Sequence, residues 1–406
     1  MSSFDIGGFS KALSQRAYRR FWIGFVVSMT GSAMTTVAAT WIVLQRTHSP
    51  VALGLLFVAF TAPVFVGGFL AGWLLDRFDR RQVMIWDNVA RGSAIVSIPI
   101  LNAFGNLPLE WVYAVAAIYG FLFMISFAGG PAIIPELVPP ESISTANSLE
   151  TLGFTLSGVS GPPIAGILIG IIGAPNVFLF DAASYMIFIA ALASIQLGTD
   201  KGSKGAPTGK IRLSASFQLL ASSSVLMSIT IMYMLFNIGS GILAVWLPIL
   251  VSQGLGGTAT LYGIILGASA AGETVGAFIG GSYTGKMPSG TLICVSQVLS
   301  GVVLCLLLLS RDAWTALISM ALLGAASAPL TIWAQTLRMK MVPPELRGRT
   351  FALLRTLMQG STPAGSAAAG LVLPAVGLAS TIGLTAGLMS TPGAIGYAIP
   401  SLRRAT

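Results

Sequence analysis

The stretch Gly72-Trp73-Leu74-Leu75-Asp76-Arg77-Phe78-Asp79-Arg80-Arg81 decides how this chain is read, because long apolar runs flank it on both sides. About 20 apolar residues suffice to cross a bilayer as a helix, so a short charged turn between two such runs joins two spans. Arg77, Arg80 and Arg81 place that turn on the cytoplasmic side by the positive-inside rule. Gly72, with Gly68 one turn earlier, is expected to let a neighbouring helix approach closely just before the turn. The carboxylates Asp76 and Asp79 exceed what an orientation signal needs. Either the turn is a solvated topology marker, or it is a latch whose charges meet other helix ends in one conformation of a moving bundle.

Composition fixes the class. The chain has 406 residues, 54% hydrophobic and only 9% charged, with mean hydropathy +0.84. A soluble domain carries about 25% charged residues, so this is an all-α integral membrane protein. Its net charge of +9 is distributed as topology charge rather than as a nucleic-acid footprint. Of 22 Lys and Arg, 18 fall in segments assigned to one side: 11–20, 77–81, 201–212, Lys286, 338–349 and 403–404. Arg46 and Arg311 fall on the other side, and Arg91 and Arg355 within spans. Cys294 and Cys305 share one apolar run, so neither a disulfide framework nor a metal site is expected. The first apolar run, from Phe21, is too long for a signal-peptide core.

Twelve spans are expected, both termini cytoplasmic, as two six-helix bundles related by a pseudo-two-fold repeat. The N-terminal bundle is residues 1–197, a Gly-, Ser- and Lys-rich cytoplasmic linker is 198–216, and the C-terminal bundle is 217–406. The repeat is visible in the sequence. Val138-Pro-Pro-Glu141 recurs as Val342-Pro-Pro-Glu345 at an offset of 204, which also relates Gly161 to Gly365 and Gly166 to Gly370. Gly68 and Gly72 relate to Gly276 and Gly280 at an offset of 208.

On these residues the chain resembles the major facilitator superfamily. The stretch 72–81 is similar to its signature loop between helices 2 and 3, with Asp79 where the general pattern has glycine, as in bacterial drug and macrolide efflux and enterobactin-exporter-like proton antiporters. Asp87 and Arg91 match an acid and an arginine four apart in helix 3 of that group, and Pro135-Glu136-Leu-Val-Pro matches its helix 4–5 turn. Gly158, Gly161, Pro162 and Gly166 lie in a segment that resembles the antiporter motif of helix 5, with Ser157 and Ala165 replacing two of its glycines. Such exporters often carry an acid near the middle of helix 1, where this chain reads Gly31-Ser32-Ala33.

The resemblance implies a latch in which Asp76 faces the N-terminus of helix 11, near Arg349, while Arg77, Arg80 and Arg81 pair with Glu136. Acids within spans are rare and are functional candidates by default. They are Asp87, Glu150, Asp181 and Glu273. Asp87 and Arg91, one turn apart, are able to neutralise each other as a structural pair. Asp181 reads as a wetted residue near the outer end of span 6. Glu273, near the middle of span 8 and flanked by Ser269, Gly276 and Gly280, is expected to point into the bundle and to exchange a proton, or to attract a cationic substrate. Its plainer alternative is a glutamic acid hydrogen-bonded across a helix pair. Glu273, Glu150, Asp87 and Arg91 are thus the proton-coupling candidates. Trp41, Tyr119, Tyr233, Asn237, Trp333 and Gln335 are candidates for a substrate cavity.

The expected function is secondary active export of amphipathic or lipophilic small molecules, drug-, macrolide- or siderophore-like, by proton antiport and alternating access. The alternatives are an importer on the same fold and, further off, a non-transporting sensor. No enzyme is expected, since one loop histidine, His48, and two buried cysteines supply no catalytic pair. No Walker-type phosphate loop points to ATP, and no cofactor is expected. The partners are protons, a small-molecule substrate and the lipid of a bacterial cytoplasmic (inner) membrane, with the protein a monomer.

Overall fold

The structure, a computed structural model, describes residues 6–195, 213–283, 285, 287–310, 312–343 and 346–406. Most of the expected linker (198–212) lies outside the described residues, as do Lys286, Arg311, Pro344 and Glu345, and so does the Arg349 side chain. All regular structure among the described residues is helical. The long helices are α1 (Arg16–Thr47), α2 (Pro50–Arg77), α3 (Arg80–Ala103), α4 (Leu109–Leu137), α5 (Ile143–Ile172) and α6 (Ala174–Ala193). They continue as α7 (Ser224–Ile249), α8 (Ala259–Ser282), α9 (Ser289–Cys305), α10 (Ala313–Met341), α11 (Arg347–Gln359) and α12 (Ser361–Ala398).

Among the described residues, 10 helical stretches are long and apolar enough to cross a membrane, against the twelve expected. The difference has two physical sources. α3 is 24 residues long, but Arg80, Arg81, Asp87 and Arg91 make it too polar by composition. The last stretch, Leu353–Ala398, is 46 residues, or about 69 Å of helix, where the hydrocarbon core is only about 30 Å thick. Gly377 breaks it with φ 79° and ψ 169°, a backbone conformation that a side chain would strain.

The chain divides into two compact units, Met1–Ile42 with Ala59–Pro207, and Val43–Val58 with Thr208–Thr406. In the first, α2 packs on α4, and α3 on both α4 and α6. Its core is aromatic: Phe21, Phe25 and Phe188 are fully buried, and Phe25 meets Phe154 edge-on at 4.9 Å. In the second unit, α8 packs on α10, α7 on α12, and α9 on both α10 and α12. That unit also holds residues 43–58, where Gly54 backs onto the Ser366 carbonyl at 2.7 Å.

The close approaches are made where glycine or another small residue lets one backbone touch the next. A Cβ at Gly120 of α4 would fall on the Phe60 carbonyl, and one at Gly324 of α10 on the Ser269 carbonyl, so positions 204 apart do the same work in each unit. Likewise Gly161 of α5 lies against Thr30 of α1, and Gly365 of α12 against Ile238 of α7. The expectation for Gly68 and Gly72 is corrected. Gly72 has open space around it and Gly68 only Met124 at 3.9 Å, whereas Gly67 meets the Phe121 backbone. At about 100° per residue, a one-position error turns a helix from its contact face to its side.

Candidate functional site

The charged turn between α2 and α3 is built from its helix ends. Asp79 is the N-cap of α3, its carboxylate accepting from the Gln82 N–H at 2.9 Å. Arg80 donates to Glu136 Oε1 at 2.9 Å and to the Ala132 carbonyl at 2.8 Å, tying α3 to the C-terminal end of α4. Arg81 goes elsewhere, to the Ala193 carbonyl at the end of α6, at 2.6 Å. Arg77 lies over Trp73 of its own helix, 5.6 Å from the ring centre. Of the three arginines expected on Glu136, one pairs with it: consecutive helical positions face different neighbours. Asp76 is exposed and makes no hydrogen bond or ion pair among the described residues.

Deeper in the first unit, α3 buries its charge pair completely. Arg91 grips Asp87 through two parallel bonds, Nη2 to Oδ2 at 2.6 Å and Nε to Oδ1 at 3.0 Å, with both side chains wholly inaccessible. Ser126 of α4 donates to the same carboxylate and accepts from Arg91 at 2.9 Å. Arg91 also donates to the Tyr185 hydroxyl of α6 at 3.3 Å and stacks over that ring at 4.9 Å. Tyr185 shares a hydrogen bond with Ser32 of α1, at 3.2 Å. A buried pair holds only when its remaining donors and acceptors are met, and here one hydroxyl from each of two other helices, Ser126 of α4 and Tyr185 of α6, meets them. Tyr119, expected in a substrate cavity, is buried on this network between Phe60 and Arg91.

Asp181 is the residue the sequence undervalued. It is fully buried, not wetted, and accepts from Thr35 of α1 at 2.5 Å, with the Ser184 hydroxyl 3.1 Å away. Gly31 makes the room, for a Cβ there would overlap the Asp181 carboxylate. Thus α6 supplies a carboxylate at the level of α1 where helix 1 carries none. The available signal was the polar patch Ser28, Thr30, Ser32 and Thr35, which needs polar partners once buried.

α5 meets α1 along Gly153, Ser157 and Gly161, four residues apart. Ser157 accepts from Thr30 at 3.1 Å, adding a hydrogen bond to this close contact that a glycine could not make. Pro162 and Pro163 are carried inside a continuous helix. Gly158 is half-buried and Gly166 buried, both off the stripe through Gly161. Glu150, a turn earlier on α5, is buried beside Gly130 of α4, and its Oε1 has no hydrogen-bond partner.

In the second unit, Glu273 is exposed, with no hydrogen bond or ion pair among the described residues, although protein surrounds it on most sides. The alternative of a carboxyl hydrogen-bonded across a helix pair therefore does not hold here. At about 100° per residue, Glu273 shares one side of α8 with Ala270 and Ala277. The exposed apolar residues Val275, Phe278 and Ile279 stand on the opposite side. Gly272, Gly276 and Gly280, which form the contact with α10, flank Glu273 closely, so Glu273 borders that contact. Asn237 donates to the Met358 carbonyl at 2.7 Å and Trp333 to the Gly280 carbonyl at 3.1 Å, so both are engaged in packing. Gln335 is exposed, Tyr233 is buried against Arg338, and Trp41 is buried in the first unit.

The family profile described as "Transmembrane secretion effector", of the major facilitator superfamily, matches residues 7–404. The chain belongs to that family. It is a transporter, not an enzyme. The enterobactin exporter EntS of Salmonella choleraesuis is 24% identical over 335 residues, covering 82% of this chain and 80% of that protein. The multidrug efflux pump Tap of Mycolicibacterium fortuitum is 23% identical over 387 residues, covering 92% and 93%. An uncharacterized major-facilitator-type transporter of Sinorhizobium fredii, y4rN, is 24% identical over 372 residues, covering 91% of each. Among solved structures, the nucleoside transporter NupG superposes with TM-score 0.77 at 13% identity, over 94% of this chain and 99% of that one. A bacterial homologue of the iron transporter ferroportin gives 0.73 at 16%, over 95% and 99%. These two likenesses show the fold.

Proposed function

We propose that this major facilitator protein exports amphipathic or lipophilic small molecules across a bacterial inner membrane in exchange for protons. It works as a monomer of two six-helix bundles with both termini cytoplasmic. The observation that carries the reading is Glu273: a carboxylate midway along a membrane helix, on the side away from the exposed apolar face, with no cation paired to it among the described residues. A group so placed is able to exchange a proton with water as access alternates, and membrane-embedded acids are otherwise too costly to keep. The likeness to an enterobactin exporter and a multidrug efflux pump supports the outward direction.

The deciding experiment is transport into proteoliposomes with an imposed ΔpH and a panel of dyes, macrolides and siderophores. Antiport accumulates substrate when the lumen is acidic. Accumulation only when the outside is acidic identifies an importer and overturns the proposal.

The turn 72–81 gives a second test. Asp76 makes no hydrogen bond or ion pair among the described residues, and we assign its pairing to another state of the cycle. Asp76→Asn is expected to leave thermal stability unchanged and to slow transport up to about fivefold, the effect of about 1 kcal/mol on a two-state balance. Wild-type transport rates from the variant would reduce Asp76 to an orientation signal.

A further inference from the structure

The two buried arginines among the described residues are held very differently. Arg91 has its guanidinium donors met by Asp87, Ser126 and Tyr185. Arg338, in the last turn of α10, is only 3% exposed, yet its Nε and Nη2 have no hydrogen-bond partner among the described residues. It lies over the Tyr233 ring of α7 at 4.5 Å, and the buried Tyr233 hydroxyl, which has Thr331 of α10 beside it, completes no hydrogen bond among the described residues. A guanidinium carries five N–H donors and cannot escape by losing its proton. An uncompensated buried charge costs more than a cation–π contact or a helix dipole returns. The carbonyls that close α10 are not its partners either. Arg347 takes those of Met339 and Val342, at 3.1 Å and 3.2 Å.

The described acids of the second unit stand far away. Asp312 is the N-cap at the opposite end of α10, 26 residues or about 39 Å along the helix. Glu273 packs its backbone against Gly324, 14 residues or about 21 Å before Arg338. Glu345 lies outside the described residues. The Tyr233 ring beneath the guanidinium belongs to an apolar buried cluster with Ile229, Met232, Leu337 and Leu402. An unmet planar cation beside an unmet phenol, set in apolar walls, matches an amphipathic anion: an acidic oxygen pair for the guanidinium and a ring or chain for the walls.

We propose that Arg338 and the Tyr233 hydroxyl form an anion-recognition site that takes the acidic group of the exported molecule. The inference rests on the export reading above and narrows it to amphipathic acids. The same chemistry is offered by the headgroup of an acidic lipid, and the experiment separates the two sources.

The probes are 8-anilinonaphthalene-1-sulfonate and N-phenyl-1-naphthylamine, the same molecule without its sulfonate. Purified full-length protein is placed in nanodiscs of phosphatidylcholine alone or with phosphatidylglycerol, and probe affinity is read from the shift in thermal unfolding. In phosphatidylcholine, Arg338→Met is expected to weaken binding of the sulfonate at least tenfold and to leave the uncharged amine unchanged. Tyr233→Phe, which removes only the hydroxyl, is expected to weaken the sulfonate severalfold. Because Arg338→Met deletes an unpaired charge from an apolar site, it is expected to fold at least as stably as the parent.

Three results overturn the proposal. One is equal loss of both probes. Another is an Arg338-dependent stabilisation by phosphatidylglycerol with no Arg338-dependent sulfonate binding, which gives the site to lipid. The third is a Glu345→Gln variant that is destabilised while Glu345→Gln with Arg338→Met is not, which makes Glu345 the partner. If the sulfonate binds through Arg338 but ΔpH never drives its accumulation, the site stands and the proton-coupled export reading fails.

Discussion

Glu273→Gln protein in proteoliposomes is expected to exchange substrate across the membrane at near wild-type rates and to lose all accumulation driven by ΔpH. One proton moved through one pH unit is worth about 1.4 kcal/mol, so a one-to-one antiporter sustains about a tenfold substrate gradient per unit. Without a group that gains and loses the proton, that ratio falls to one. The substitution is mild for the fold, because Glu273 makes no hydrogen bond or ion pair that an amide would forfeit. Its neighbours Ala270 and Ala277 are small, and the contact of α8 with α10 at this level is made by backbone against Gly324, which an isosteric side chain leaves unchanged. Exchange without accumulation separates coupling from binding. If the variant still concentrates substrate in response to ΔpH, coupling rests on another carboxylate. Glu150, buried with an unpartnered Oε1, is then the next to neutralise.

Much of the molecule was legible in the sequence because it is written as composition and spacing. A membrane solvent demands helices, so the apolar runs and the charged turn between them fixed the class, and the 204-residue offset between glycines found positions that do the same work in each unit. What escaped is set by angle around a helix axis. Gly67 rather than Gly68 meets α4, and Arg80 rather than Arg77 or Arg81 meets Glu136, each a difference of about 100° or a few multiples of it. Asp79 was legible as a charge but not as a cap, since capping depends on where the helix begins. Arg338 reads in the sequence as one more cytoplasmic charge, although the α7 ring that covers it lies more than 100 residues earlier in the chain. Asp181 was judged from its depth alone, while its burial is decided by Gly31 and Thr35 of a helix that precedes it by some 150 residues.

Asp87→Asn is expected to lower the stability of the purified protein by about 3–5 kcal/mol, the usual cost of leaving one member of a buried ion pair without its counter-charge. Arg91 cannot reach water to compensate, being wholly inaccessible, and the hydroxyls of Ser126 and Tyr185 solvate it without neutralising it. Removing both charges together, Asp87→Asn with Arg91→Met, is expected to recover most of the loss, since a neutral pair of similar volume in that pocket has no charge to bury. The recovery is the informative quantity: two contacting residues that act as one unit give strongly non-additive changes, and independent ones do not. Thermal unfolding of the four proteins in one detergent measures it, and a single Asp87→Asn variant that unfolds with the parent would show that the pair does not hold the first unit together. The double variant then carries the functional question. If it is stable and still accumulates substrate under ΔpH, Asp87 and Arg91 are the structural clamp that fixes α3 against α4 and α6. If it is stable and exchanges substrate but no longer accumulates it, the pair takes part in proton movement, with Tyr185 and Ser32 as the hydroxyls that lead from it to α1.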